Sequence, residues 1–327
     1  MKAIAAVLFI AALATGCGAT EAGGSRATDD CDGTYPGSGD KIQVVVGYSP
    51  GGSSDLWVRT LASALEDETG ARFEVLNKEG GGGQIGQAFM LRGPDDGSLV
   101  SELSLPSTLG YLYSGQEAPY TKDSFKFVAS TGFSPNALVV ASDSPYKNLD
   151  DLIAAAKKAP GKLNAAFNGA ADDAIIYTLL EEDYGVSLNK TVYDGGSDKA
   201  QALLAGQVGV SVGALSGVAD FVEAGQFRLL AVFSNERNEF MPDVPTAKEQ
   251  GVDIVSTNRW SIAMDAAVDE CKRDALEAAI KKVSENDDYI ASNADRKVSV
   301  SFMSHDDFSD FWDEQEELVT RAAKSAG

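Results

Sequence analysis

Residues 41–55 read KIQVVVGYSPGGSSD, and this stretch decides the fold class. Its β-branched run at 41–46 predicts a buried strand, and residues 49–54 predict a turn. Residues 55–69 carry apolar side chains at helical spacing and end before a glycine, which predicts a helix. The order of strand, turn and helix recurs along the chain and predicts an α/β protein with parallel sheets covered by helices. Further strands are predicted at 73–76, 98–103, 137–141, 163–167 and 208–212.

Four glycine-rich loops stand between predicted strands and helices, at residues 48–55, 80–86, 168–173 and 193–198. Ligands of open α/β sheets bind at the carboxyl ends of the strands, where these loops lie. Glycine lets backbone N–H groups approach a ligand, and the positive end of the following helix suits a carboxylate. A single loop of this kind is usually simple turn chemistry. Four of them, spread over two candidate domains, favour a ligand site.

The first sixteen residues have the order of a secretory signal peptide: Lys2, an apolar segment at 3–13 and small residues at 14–16. The apolar segment is shorter than the roughly 20 residues that span a bilayer as a helix. The following Cys17 resembles the cysteine of a bacterial lipobox, which predicts cleavage before Cys17 and its acylation. An ordinary secretory signal with an incidental cysteine is the alternative.

Residues 17–40 are interpreted as the lipidated cysteine and a flexible tether, because they are rich in Gly, Ser, Thr, Asp and Ala and lack hydrophobic periodicity. The roughly 285 residues that follow are enough for two domains. No later stretch is long and apolar enough to span a bilayer. We therefore expect an extracytoplasmic body held at the membrane by a lipid, in the periplasm or on the outer cell surface.

The chain carries 27 basic and 49 acidic residues, a net charge of −22. The acidic residues are spread along the chain, which argues against nucleic-acid binding and indicates a solubility adaptation. An anionic ligand would be repelled at long range, so short-range dipoles would have to hold it. Besides Cys17, the chain has Cys31 and Cys271. An oxidising compartment favours a disulfide between them, and two unpaired thiols are the alternative.

Two segments are the most specific: VVGYSPGG at 45–52, followed by Asp55 and Arg59, and DVPT at 243–246, followed by Glu249. Through these segments the chain resembles the substrate-binding proteins of tripartite tricarboxylate transporters, over roughly residues 42–264. Further matching segments follow in the same order, at 77–86, 94–97, 144–162 and 193–208, with Trp260 after them.

The resemblance implies a type II periplasmic-binding-protein fold with two lobes, two crossover strands and a hinge. It implies that lobe 1 comprises residues 41–140 plus 260–327 and that lobe 2 comprises residues 141–259. It further implies that the lobes close over the ligand and that the closed form docks on membrane permease subunits. We expect a monomer that needs no cofactor.

The ligand in this family is commonly a carboxylate, held mainly by backbone amides, hydroxyls and water from the first two loops. A carboxylate or an amino acid is therefore the expected solute. The resemblance and the loop pattern together give the candidate ligand-binding residues Tyr48, Ser49, Pro50, Gly51, Gly52, Ser53, Asp55, Gly82, Gly83, Ile85, Asn168, Gly169, Ala170, Ala171, Asp172, Tyr193, Gly195, Gly196 and Trp260.

Three acidic residues of the central lobe, Asp172, Asp173 and Asp194, are expected near the cleft. Asp194 stands where relatives often have lysine, and Ala174 and Ile175 stand where many have a His-Leu pair. The favoured interpretation is that these carboxylates are helix caps and solvated charges. The alternative is that one of them binds an ammonium group, in which case an amino acid would suit the cleft better than citrate.

Catalysis has little support in the sequence. The one histidine, His305, stands in a polar tail at an expected helix start. The chain has no zinc-type cysteine and histidine spacing, no Gly-Lys-Ser/Thr ending after its glycine run and no Gly-x-Ser-x-Gly elbow with a histidine partner. We expect neither catalytic residues nor a metal site. The expected function is a transport receptor, with a sensor-type binding protein as the alternative and an enzyme on a two-lobe scaffold as a more remote one.

Overall fold

The structure is a computed structural model that describes residues 34–110, 119–168 and 171–325. The predicted signal peptide, the lipid anchor Cys17 and Cys31 lie outside the described residues, as do the candidate ligand residues Gly169 and Ala170. None of the helices in the described residues is long and apolar enough to cross a membrane.

Ten strands in the described ranges form one continuous mixed sheet in which the path runs β2-β1-β3-β9-β4-β7-β5-β6, and β8 and β10 pair with β4. The strands are β1 Lys41–Val46, β2 Arg72–Asn77, β3 Leu99–Leu105, β4 Phe125–Ala141, β5 Leu163–Phe167, β6 Leu188–Val192, β7 Val210–Ala214, β8 Phe227–Val232, β9 Thr257–Asp265 and β10 Ser299–Met303.

Nine α-helices cover the sheet within the described residues, and short 3₁₀ turns join several of the elements. The helices are α1 Ser53–Thr69, α2 Gln84–Met90, α3 Leu149–Lys158, α4 Ala171–Tyr184, α5 Gly196–Leu204, α6 Leu215–Glu223, α7 Glu270–Ser284, α8 Asp287–Asp295 and α9 His305–Ser325.

The sheet divides into two parts that we call lobe 1 and lobe 2. In lobe 1, β1 pairs in parallel with β2 and β3, and β9 runs antiparallel between β3 and the first half of β4. In lobe 2, β5 pairs in parallel with β6 and β7, while β7 and β8 run antiparallel to the second half of β4. The predicted two-lobe α/β class is confirmed, with antiparallel crossover strands added to the parallel units. The predicted lobe limits stay a prediction.

The long strand β4 starts at Phe125, twelve residues before the predicted start at 137. Polar residues in its middle hid the strand from the hydrophobic pattern, although they are fully buried. Each has a partner that offsets burial: the Ser130 hydroxyl donates to the Trp260 carbonyl at 2.6 Å, and Asn136 donates through its amide to the Ser256 hydroxyl at 2.8 Å. The strand therefore remains regular while it passes from one lobe to the other.

Candidate ligand-binding site

The first predicted loop links β1 to α1 and is fixed from within. Asp55 accepts from the Gly51 N–H at 2.9 Å, from Nε and Nη2 of Arg59 at 2.9 Å each and from the Asn77 amide at 2.9 Å. Burial alone would raise the pKa of Asp55, but these hydrogen bonds outweigh it and hold the pKa below its ordinary value. The carboxylate therefore shapes the loop, while Pro50 and Gly51 are exposed.

The N-terminus of α1 is the feature of this loop that suits an anion. The N-cap residue of α1 is Gly52, which has no side chain to accept a hydrogen bond from the N–H groups of the first turn. Ser53 and Ser54 stand in this first turn and line a small cavity between the lobes. A helix N-terminus of this kind attracts negative charge through its dipole and its free amides.

The second predicted loop packs against the first. The Tyr48 hydroxyl donates to the Gly82 carbonyl at 3.0 Å. A Cβ atom on Gly83, whose φ is 98°, would lie 2.9 Å from the Tyr48 oxygen, and one on Gly47 would lie 2.6 Å from the Gly83 Cα. These glycines are therefore required for close backbone packing and left-handed geometry. Ile85 lies on the surface with 55% of its area exposed.

The lobe 2 side of the cleft begins with the N-terminus of α5, whose N-cap Gly195 also makes no side-chain cap hydrogen bond within the described residues. A Cβ atom on Gly195 would lie 2.4 Å from the Ser49 hydroxyl oxygen, and one on Gly52 would lie 3.9 Å from the Ser197 nitrogen. The first and fourth predicted loops therefore contact each other across the cleft. The buried Ser49 hydroxyl has no hydrogen-bond partner among the described residues.

These contacts enclose a cavity of about 40 Å³ between the lobes. The structure brings six of the predicted residues to its wall, namely Tyr48, Gly52, Ser53, Asn168, Asp172 and Gly196. It adds residues that the sequence reasoning missed, among them Ser54, Ser104, Ser107, Lys199 and Asn258. A wall built from hydroxyls, amides and helix starts offers hydrogen bonds to a small polar ligand.

Two of the three lobe 2 acids that were predicted near the cleft are buried. Asp172 accepts from the Ser107 hydroxyl at 2.8 Å and from the Asn258 amide at 3.2 Å. Asp173 pairs with the Lys199 ammonium at 2.7 Å and accepts from the Asn168 N–H at 3.1 Å. The interpretation as solvated charges is therefore wrong for both, because each is inside a hydrogen-bond network. Asp194 is exposed, as expected for a solvated charge.

The Asp173–Lys199 pair is almost inaccessible to solvent, with side-chain exposures of 0% and 3%, and its Lys199 lines the cavity. Burial raises the pKa of Asp173 to about 7, and the neighbouring Asp172 charge adds to this, although the Lys199 ammonium opposes it. Lys199 also donates to the Val212 carbonyl at 2.7 Å. Its nitrogen is therefore anchored from two sides.

Tyr193 and Trp260 take packing roles. Tyr193 is half-buried against the apolar cluster of lobe 2. Trp260 is fully buried, stacks on Trp57 with ring centroids 6.1 Å apart, and donates from Nε1 to the Ser54 hydroxyl at 3.1 Å. Through Ser54, Trp260 reaches the cavity wall indirectly. Direct contact of Tyr193 and Trp260 with a ligand stays a prediction. The same holds for the other candidate ligand-binding residues.

Cys271 takes part in a disulfide bond. The predicted pairing with Cys31 involves a residue outside the described ranges and stays a prediction. Among the described residues, no group of three or more His, Cys, Asp or Glu side chains is arranged to hold a metal ion. His305 begins α9, as predicted, and its Nδ1 lies 2.8 Å from Glu277.

The fold and the cleft define a two-lobe solute-binding protein. A family model described as the tripartite tricarboxylate transporter family receptor matches residues 57–326, and the chain belongs to this family. The chain is 32% identical over 281 residues to the "UPF0065 protein in gbd 5'region" of Cupriavidus necator, covering 83% of this chain and 82% of the relative. The predicted family is therefore confirmed.

Solved structures support the same fold. MatC from Rhodopseudomonas palustris with bound malate superposes with a TM-score of 0.81 at 20% identity, covering 87% of this chain and 99% of that chain. A second Rhodopseudomonas palustris protein, solved with adipate, has a TM-score of 0.83 at 21% identity, covering 90% of this chain and 98% of that chain. At these identities the similarity shows the architecture alone.

Proposed function

We propose that this chain is an extracytoplasmic receptor that captures a small carboxylate between its lobes and delivers it to the membrane subunits of a tripartite tricarboxylate-type transporter. The observation that carries the proposal is the pair of helix N-termini without side-chain caps, α1 from lobe 1 and α5 from lobe 2, that meet at one cavity. Relatives of the same fold that were solved with malate and adipate support the ligand class.

A site built from backbone dipoles can hold an anion even though the molecule as a whole is acidic. The net charge of −22 repels an anion at a distance. Helix N-termini act within the first turn, so they hold an anion only after it has entered the cleft. The Ser49 hydroxyl, which has no hydrogen-bond partner within the described ranges, adds a further donor at the contact between the lobes. Such a site holds a carboxylate through backbone N–H groups and hydroxyls, since the Lys199 ammonium at the cavity wall is already bound by Asp173 and the Val212 carbonyl.

Capture requires the lobes to separate. A cavity of about 40 Å³ has room for only a few water molecules. A dicarboxylate therefore needs the contact between residues 49–52 and 195–197 to open before it enters. In the proposed cycle the ligand stabilises a closed arrangement, and the membrane subunits recognise that arrangement. The acylated Cys17 and the tether at 17–40 would keep a monomeric receptor near them.

Thermal unfolding of the mature chain with a panel of solutes tests the proposal. The panel holds malate, adipate, aromatic acids, amino acids, and neutral and cationic solutes. A ligand at a hundredfold its dissociation constant that binds only the folded state adds about 2.7 kcal/mol of stability. We expect a higher melting temperature with at least one carboxylate. Stabilisation by neutral or cationic solutes alone would reject the carboxylate class.

A further inference from the structure

Glu102 is a buried acid that the proposed function does not yet use. It lies in the middle of β3, within the sequence LVSELSL, and its exposed fraction is 0%. Its Oε1 lies 3.0 Å from the Ser54 hydroxyl, and its Oε2 has no hydrogen-bond partner among the described residues. An ionised carboxylate in such a place costs several kcal/mol, because no cation in the part of the chain that the structure describes compensates for its lost hydration.

None of the described groups packed around Glu102 is a cation. From α1 it meets Ser54, and from α2 the Gln87 amide donates to its main-chain carbonyl at 3.1 Å. The loop after β1 contributes Tyr48, whose pKa is raised by its burial and by the charge of Glu102. From β9, Trp260 reaches the same Ser54 hydroxyl. Burial accordingly raises the pKa of Glu102 to about 8, although the Ser54 hydrogen bond opposes this.

The hydrogen bonds of Ser54 depend on that proton. An indole N–H only donates, so the Ser54 oxygen must accept from Trp260 at 3.1 Å. If Glu102 is ionised, it can only accept, and the single Ser54 proton is committed to it. If Glu102 is protonated, it can donate into the second lone pair of Ser54. The Ser54 hydroxyl proton is then free to point into the cavity that Ser54 lines.

We propose that Glu102 is held as a neutral carboxylic acid beneath the cleft, and that its proton makes the Ser54 hydroxyl a hydrogen-bond donor to a carboxylate in the cavity. The second half of this inference rests on the proposed function. Glu102 is a positioning residue that acts on the ligand through Ser54. Loss of its proton removes one donor from the anion and places a negative charge behind the site. Carboxylate binding therefore weakens as the pH rises.

Titration calorimetry with malate and with adipate, from pH 6.5 to pH 9.5, tests the link to binding. Both acids are ionised throughout this range, so a change in affinity reports on the protein. For the mature wild-type chain we expect the dissociation constant to rise about tenfold, the scale of one hydrogen bond to a charged group. Glu102→Gln, whose amide can donate to Ser54 at every pH, should lack the part of this rise that Glu102 causes and keep only the change that titration of Asp173, whose pKa is raised to about 7, causes in both proteins. Glu182→Gln, at an exposed position of α4, is the control and should keep the wild-type profile.

A second measurement needs no ligand. Infrared difference spectra of the ligand-free chain between pH 6.5 and pH 9.5 should show a protonated carboxyl band that is present in the wild type and reduced in Glu102→Gln. Equal bands in both proteins mean that Glu102 releases no proton between these two pH values, which overturns the inference. A wild-type dissociation constant that is the same at both ends of the range also overturns it.

The two measurements separate the two proposals. If neither acid binds at any pH while the band depends on Glu102, the carboxylate receptor function fails together with the donor role of Ser54. The protonated state of Glu102 is then established by itself. If malate or adipate binds with the predicted pH profile and Ser54→Ala binds weakly at every pH, both proposals hold. Circular dichroism of each variant checks that it is folded.

Discussion

The two sides of the cleft are built from different chemistry. Lobe 1 presents the first turn of α1, with serine hydroxyls and the buried Glu102, and its one ionised carboxylate at the loop, Asp55, is bound to Arg59. Lobe 2 presents Asp172 and Lys199 at the cavity wall, and Lys199 is paired with the buried Asp173. We propose that lobe 1 supplies a general site for an anion and that the charged side chains of lobe 2 discriminate between one carboxylate and another.

The largest expected effect comes from the charged side. Lys199→Met leaves Asp173 buried without its partner, so we expect a loss of about 3 to 5 kcal/mol in the free energy of unfolding, measured by urea denaturation. Lys190→Met is the matched control, because Lys190 pairs with Glu181 at 2.8 Å but is partly exposed. It should lose less than about 1 kcal/mol. Equal losses would mean that the burial of the lobe 2 pair has no energetic weight.

The next effect concerns the neutral acid of lobe 1. The pKa of Glu102 is raised from an ordinary value of 4.5 to about 8, so the folded state holds a proton that the unfolded state has released. The contribution of Glu102 to stability is therefore fully present below about pH 4.5 and is lost as the pH rises through about 8. From pH 5 to pH 9 the free energy of unfolding should fall in both proteins. The fall should be roughly 2 to 4 kcal/mol smaller in Glu102→Gln than in the wild type. Urea denaturation at several pH values measures this, and parallel profiles would contradict it.

The contact between the two sides can be blocked at one glycine. In Gly195→Ala the new Cβ would lie 2.4 Å from the Ser49 oxygen, so the lobes could not approach as closely. We expect malate or adipate to bind about tenfold more weakly, or about 1.4 kcal/mol. Ser187→Ala, at an exposed position of lobe 2 that is not part of the cavity wall, is the control. The prediction fails if the two variants bind alike in calorimetry.

The smallest effect concerns discrimination by lobe 2. Aspartate and malate differ in an ammonium and a hydroxyl group, so Asp172 at the cavity wall should favour aspartate. In Asp172→Asn we expect the affinity for aspartate relative to malate to fall about fivefold, the scale of an ordinary hydrogen bond, because the Asp172 carboxylate is already shared with Ser107 and Asn258. Asp194→Asn, at an exposed position, should leave the ratio as it is. An unchanged ratio in Asp172→Asn would remove Asp172 from ligand recognition.

Much of the fold could be predicted because its parallel units have strong local patterns. The strand at 41–46 and the start of α1 follow from β-branched residues and a glycine-rich turn. The early part of β4 could not be predicted, because Ser130, Thr131 and Ser134 interrupt the hydrophobic pattern and are satisfied only by distant partners. Hydrophobic periodicity identifies strands that bury apolar side chains. It cannot identify a strand whose buried side chains are polar.

The site was predicted at the level of loops better than at the level of side chains. Glycine-rich turns mark the places where β1 and β6 lead into helices, and the structure brings Ser49 and Gly195 together there. Lys199 and Asn258 were missed because their roles depend on contacts between residues far apart in the chain. Glu102 carried one usable signal, a single acid within an apolar strand.

The strand β4 has a consequence for how the molecule folds. Its first half is paired in lobe 1 with β9, and its second half is paired in lobe 2 with β7 and β8. Neither sheet is complete without a share of these seventeen residues. The two halves of the molecule therefore form one cooperative unit, in which melting of either half removes the edge on which the other is assembled.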